Sequence, residues 1–163
     1  MQLAPIPKND KERVCALDGL KLLDTASEER FDCLTKEAIK RFSVPISTIT
    51  LVDKDREWFK SMQGLKAREG PRNISFCGHA LMSEIILIIE DTVADPRFAD
   101  NPMVKNEPFI RFYAGKSLYD KESNLPVGVF CIKDRKPRKM SATDVADFLD
   151  LADRAEKEVN KKV

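Results

Sequence analysis

Apolar residues at Val14, Leu17, Leu20 and Leu23 recur at intervals of three, and Asn9 with Glu12 has the spacing of a capping box, so the pattern predicts an amphipathic helix opening near residue 10. Thr25 and Glu28 repeat that start signal ahead of Phe31, Leu34, Ala38 and Phe42, which share one face of a second helix ending near Ser43 and Pro45. The period then changes. Ile46 to Val52 is a β-branched run, and the polar turn Asp53-Lys54-Asp55 leads into a second strand through Trp58, Phe59 and Met62, which predicts a hairpin. Ser75 caps a short helix through Cys77, His79 and Leu81, followed by a strand over Ile85 to Ile89. Arg111 to Tyr119 and Val127 to Lys133 are two further strands, joined through Asp120 to Pro126 as antiparallel neighbours. Apolar residues on both of their faces place them centrally. Ser141 with Asp144 opens a last helix along the stripe Val145, Phe148, Leu149, Ala152, Ala155 and Val159.

That order describes one α+β domain spanning residues 1–163. Its helices lie over about residues 10–43, its sheet and crossover segments over about 46–134, and its terminal helix over about 141–161. With 42% apolar and 34% charged residues, a chain of 163 residues supports one core without disulfide staples. Its 28 basic and 27 acidic residues are balanced, and the only basic run is Lys133 to Lys139, which argues against a nucleic-acid partner. The run Ile85 to Ile89 is too short to cross a bilayer and the start MQLAPIPKND lacks a signal core, so a cytoplasmic protein with no membrane partner is expected. Cys15, Cys33, Cys77 and Cys131 form no Cys-x-x-Cys pair and read as buried free thiols. With His79 as the sole histidine, and no EF-hand spacing among Asp91, Asp95 and Asp100, no metal site is expected.

The segment Asp91 to Gly115 gathers the candidate chemistry between two strands. Asp95 before Pro96 reads as an N-cap, placing Arg97, Phe98 and Ala99 on one helical turn. Arg72, Arg97 and Arg111 are candidate anion clamps, weighed against salt bridges to Asp91, Asp95 or Asp100. The salt bridge is favoured for Arg111, and Arg97 is the better ligand candidate. Trp58, Phe76, Phe98, Phe112 and Tyr113 are candidates for an apolar wall, with Phe98 and Tyr113 preferred. Cys77 and His79 suggest a thiolate and imidazole, but side chains two apart on a helix point away from each other, so the structural reading is favoured.

Arg72, Phe76-Cys77-Gly78-His79-Ala80, Asp91-Thr92, Asp95-Pro96-Arg97-Phe98, Asn101-Pro102 and Arg111-Phe112-Tyr113-Ala114-Gly115, followed by Pro126-Val127-Gly128 and Cys131-Ile132-Lys133-Asp134, resemble a GAF domain of the sensory type found in bacterial signalling proteins. The resemblance implies a central antiparallel sheet, with the amino- and carboxy-terminal helices on one face and crossover segments over the other. It also implies a small molecule held beneath those segments and a homodimer; with no output module in the sequence, an output protein in trans is expected if the protein ends at Val163. Ligand-binding residues carried by this reading are His79, Arg97, Phe98, Tyr113, Phe76, Asp91 and Arg111. No cofactor is indicated and the ligand is unidentified. The phosphodiesterase type of cyclic-nucleotide signature is missing, and Gly78 separates Cys77 from His79 where chromophore-linking relatives have the pair adjacent. The positions of Cys77 and Cys131 do not reproduce the cysteine pattern of free methionine sulfoxide reductases. The leading expectation is a non-catalytic sensor; the alternatives are a thiol-dependent reductase of that type and a ligand-free dimerisation scaffold.

Overall fold

Two strands rich in β-branched and aliphatic residues, β1 (Ile46–Val52) and β6 (Pro126–Asp134), lie side by side at the centre of the domain in a computed structural model that describes residues 1–162. They pair antiparallel with Thr48 opposite Cys131. On one side β1 pairs with β2 (Arg56–Gln63), which pairs with the short β3 (Glu69–Pro71); on the other, β6 pairs with β5 (Phe112–Tyr119), which pairs with β4 (Leu87–Ile89). The sheet therefore has six strands in the order β3-β2-β1-β6-β5-β4. The expected central placement of the last two long strands holds for β6, whereas β5 lies one place from the edge. The expected strand from Ile85 begins only at Leu87, and β3 was not expected.

Side chains alternate across a strand, so one sheet builds two different interiors. Ile49, Leu51, Trp58, Phe112, Ala114, Leu118, Phe130 and Ile132 face α2 (Glu29–Phe42) and α5 (Ala142–Val159), whose Phe31, Leu34, Ala38, Phe148, Leu151 and Ala155 complete the larger apolar core. Phe148 packs against Phe42 and Phe130 with ring centroids 6.2 and 5.3 Å apart. The opposite face is covered by α3 (Phe76–Ala80), α4 (Pro102–Lys105) and the turns between them, around Phe76, Phe98, Ile110 and Tyr113. This is the expected division between terminal helices and crossover segments.

Local start signals were less faithful. α1 (Asp10–Gly19) ends before Leu20 and Leu23, the last two positions of the expected stripe, and Asn9 forms no side-chain cap. Asp10 instead accepts from Arg13 Nε at 2.8 Å and from both terminal nitrogens of Arg72 at 2.8 and 2.9 Å, a buried network that outweighs the local capping box. Thr25 does not cap α2, which starts four residues later; its hydroxyl joins Lys60 and the Leu22 carbonyl. Ser141 and Asp144 do form the reciprocal capping box expected for α5. No helix among the described residues is long and apolar enough to cross a membrane.

Candidate functional site

On the face beneath α3, the β strands present polar residues where the opposite face presents aliphatic ones. Thr48 and Thr50 of β1 point inward with Val52, and their hydroxyls lie 2.7 Å apart. Thr48 Oγ1 is 2.9 Å from Cys131 Sγ on the neighbouring strand, and the Cys77 thiol of α3 donates to Thr50 Oγ1 at 3.5 Å. Tyr113 donates its hydroxyl to Cys77 Sγ at 3.3 Å, so Cys77 and Cys131 belong to one hydrogen-bonded cluster with the two threonines. Gly115 lies two residues along β5 and lacks the Cβ that would collide with the Tyr113 ring, so the ring can lie flat across the strand.

Charge enters this face from β6 and β2. Lys133 is 1% exposed, and its ammonium sits 5.9 Å from the Tyr113 ring centroid and 6.0 Å from that of Phe59, without a hydrogen bond or ion pair among the described residues. Glu57 is 2% exposed, and its Oε1 is buried without a partner. Burial pushes the Glu57 carboxyl up to about 8 despite the pull of Lys133. The thiols titrate as a coupled pair. Burial drives Cys77 well above the ordinary thiol range. Burial also raises Cys131, but the Cys77 hydrogen bond, the Lys133 charge and the Thr48 hydroxyl outweigh it and bring Cys131 down to about 7. Tyr113 is raised chiefly by burial, and Lys133 is raised by the facing Cys131 and Glu57 even though burial opposes its charge.

The residues expected from sequence form the outer layer over this cluster. Phe76 stacks on Phe98 at 4.6 Å and on Tyr113 at 5.2 Å, and His79 meets the edge of Phe98 at 4.7 Å. His79 Nε2 lies 3.2 Å from the Gln2 carbonyl, and burial pushes its imidazole down. The amino-terminal segment crosses α3 here, with Gln2 N–H donating to Arg97 O and Ala4 N–H to Asn73 O. Gly78 permits the crossing, because a Cβ would fall 2.7 Å from that of Ala4. Asn101 caps α4 through Met103 N–H and donates to Ile74 O, fastening the crossover segment beside α3.

All three arginines already have carboxylate partners. Arg97 pairs with Asp95 through Nε at 3.0 Å and Nη2 at 2.7 Å, lies over Phe98 at 5.2 Å, and keeps 42% of its side chain exposed. Asp95 also accepts from Arg97 N–H, and Phe98 and Ala99 N–H both donate to Asp95 O, giving the expected turn. Arg111 pairs with Asp91 at 3.0 Å near the surface, away from the inner cluster, while Arg72 is held by Asp10. Trp58 and Phe112 belong to the opposite core. Cys77 and Cys131, far apart in sequence, join one polar cluster: the β1 to β6 register and the placement of α3 put each against a threonine of β1. Glu57, Thr48, Thr50 and Lys133 were missed as a group. The available signal was the threonines at alternate positions, 48 and 50, of a strand whose other residues besides Ser47 are aliphatic.

The chain has the GAF fold. It superposes on the GAF domain of an Acinetobacter phosphoenolpyruvate-protein phosphotransferase with a TM-score of 0.66 at 14% identity, covering 91% of this chain and 92% of that one. The blue-light-absorbing form of the PixJ GAF domain from Thermosynechococcus elongatus matches with a TM-score of 0.65 at 10% identity, over 90% of this chain and 88% of that one. A free methionine-R-sulfoxide reductase from Neisseria meningitidis, solved with its substrate, matches with a TM-score of 0.64 at 18% identity over 98% of both chains. In sequence, the chain is 39% identical over 147 residues to the cyclic di-GMP phosphodiesterase PA2567 of Pseudomonas aeruginosa, covering 90% of this chain and about a quarter (25%) of that relative. No family model matches.

Proposed function

We propose that this chain is a cytoplasmic, non-catalytic sensory domain that binds a small anionic molecule between the polar sheet face and α3. Sensory function is what the GAF fold supports. The observation carrying the finer reading is Lys133, a buried ammonium left without a carboxylate, since an unpaired interior charge costs several kcal/mol unless something answers it. An anionic group beside Lys133 would answer it, and the protonated Glu57 carboxyl supplies a donor to the same ligand. Phe76, Phe98 and Tyr113 form the wall and His79 the rim. Arg97, with Asp91 and Arg111 flanking it, belongs to the segment that must swing aside for entry. Displacement of this segment would couple occupancy to the surface, because a ligand shifts an equilibrium only by binding one arrangement more tightly. The relative's activity suggests the context, control of cyclic di-GMP hydrolysis by a catalytic region that this domain regulates. Pairing of two copies through the terminal helices belongs to the same proposal. Ala152 and Ala155 do not supply that contact, because both are buried within the domain's own core.

The test is native mass spectrometry of the purified chain, followed by calorimetry of any retained anion against Lys133→Met and Arg97→Ala. Losing a charge-assisted hydrogen bond removes about 1.5 to 3 kcal/mol, so Lys133→Met should weaken binding roughly ten- to a hundredfold. Unchanged affinity in Lys133→Met would remove the site. A second reading, thiol-dependent reduction of free methionine sulfoxide, is favoured only by the hydroxyl chain that links Cys77 to Cys131. Turnover that is lost in Cys131→Ser would replace the sensor by this enzyme.

A further inference from the structure

We propose that Cys77 and Cys131 are a modification site, a buried dithiol that a hydroperoxide converts into an intramolecular disulfide tying α3 to β6. Three observations carry it. The two thiols are joined by a buried chain of hydroxyls, Cys77 to Thr50 to Thr48 to Cys131, with contacts of 3.5, 2.7 and 2.9 Å, which fixes both sulfurs in one polar cluster. A fixed ammonium, Lys133, stands beside them without a carboxylate of its own and favours thiolate over thiol. The remaining two cysteines, Cys15 and Cys33, are not buried as expected from sequence but exposed on α1 and α2, and take no part in this cluster. Buried thiols are normally inert because nothing stabilises their charged form. Here the neighbouring charge and hydrogen bonds do so for one of the pair.

The chemistry closes within the site. The Cys131 thiolate attacks one oxygen of hydrogen peroxide, an S–O bond forms as the O–O bond breaks, and hydroxide leaves, giving Cys131 sulfenic acid. The Cys77 sulfur then attacks the sulfenic sulfur, its proton leaves with the departing hydroxyl as water, and the first hydroxide takes up a proton. Two thiols are oxidised by two electrons and one peroxide is reduced to two waters. Bond formation requires the sulfurs to close to about 2.05 Å. The moving part is α3, five residues long, held at its start by the Ser75 hydroxyl on Gly78 N–H and at its end by the Ser117 hydroxyl on Ala80 O, and it must advance toward the sheet. The bridge would consume the thiol hydrogen that Cys77 gives Thr50 and draw the Phe76 end of the wall inward.

The inference stands on the thiols and not on a ligand. A bare site that still forms the bridge would keep this inference and remove the ligand reading; a ligand-bound site whose thiols stay reduced would do the reverse. The full chain carrying Cys15→Ser and Cys33→Ser is reduced, exposed to hydrogen peroxide at pH 7, denatured and alkylated. Expected is a mass lower by two hydrogens, no alkylation, a peptide joining Cys77 to Cys131, and reversal by dithiothreitol. Two alkylated thiols after exposure, or Cys131 carrying added oxygen with Cys77 still free, would overturn the proposal. Lys133→Met, checked for folding by circular dichroism, should form the bridge roughly five- to tenfold more slowly at pH 7, since a smaller thiolate fraction is partly offset by greater nucleophilicity. The wild-type rate should level off above about pH 7. Glu57, Lys133 and Tyr113 are the titratable groups facing the pair. A rate that keeps climbing to pH 9 like a free thiol, or that ignores Lys133→Met, would also overturn it.

Discussion

Two lysines are buried in this domain, one on each face of the same sheet, and they are treated in opposite ways. Lys60 is fully buried against the helical layer, where its ammonium meets Thr25 Oγ1, the Ala26 carbonyl and Glu28 Oε2, each at 2.7 Å. Lys133, equally buried on the α3 face, meets two aromatic rings and no carboxylate. The first is a strut whose desolvation is answered within the fold. The second keeps its charge unanswered, beside two thiols and a carboxyl that also lacks a partner. Interior charge is therefore tolerated on the apolar face only where it is satisfied, while on the polar face it is retained at the expense of stability. Strain of that kind concentrates at working sites.

The largest expected effect concerns Glu57. Its carboxyl rises from 4.5 to about 8 on folding, so the folded state holds the proton more tightly than the unfolded chain. The associated stability is complete below pH 4.5 and is lost as pH rises through about 8; at about 1.4 kcal/mol per pH unit the upper bound is about 5 kcal/mol. Guanidinium unfolding at pH 5 and pH 8 should show this loss in the wild type and not in Glu57→Gln. Equal slopes in the two proteins would place Glu57 in water.

The two lysines should respond to the same substitution with opposite signs. Lys133→Met removes an unpaired charge and should stabilise the ligand-free protein by about 1 to 4 kcal/mol, whereas Lys60→Met breaks charge-assisted hydrogen bonds and should destabilise it by about 1.5 to 3 kcal/mol. Paired urea melts decide this, and matching signs would end the distinction between strut and site. The smallest effect is expected for Arg111→Ala. Its pair with Asp91 is about one-third exposed on both sides, so stability should change by no more than about 1 kcal/mol, read as a shift in the denaturant midpoint.

Periodicity made the architecture legible. The β-branched run of β1, the stripe of α5 and its Ser141 box were all visible because burial and capping there depend on neighbours close in sequence. The boxes at Asn9 and Thr25 had the same local form and failed, since Asp10 and Thr25 are claimed by Arg72 and Lys60 from distant elements. The inner cluster was hidden for a related reason. Thr48 and Cys131 are 83 residues apart, and strand register alone makes them partners. Spacing reveals pairs on one element; it carries no information about which residue of one strand lies opposite which residue of another. The outer aromatics were legible because Phe76 follows the Ser75 cap of α3, Phe98 lies on the turn between Pro96 and Asn101, and Tyr113 lies in the long strand β5.

The sheet ends on both sides in a strand of three residues, Glu69–Pro71 and Leu87–Ile89. Pro71 has no N–H to offer, and strands this short expose too few open backbone groups for a neighbouring molecule to zip onto. Growth of the sheet from molecule to molecule is closed off at both borders. The helical layer and the cover over α3 are then the surfaces through which this domain can be read by others, and the stiff sheet between them is shared by both.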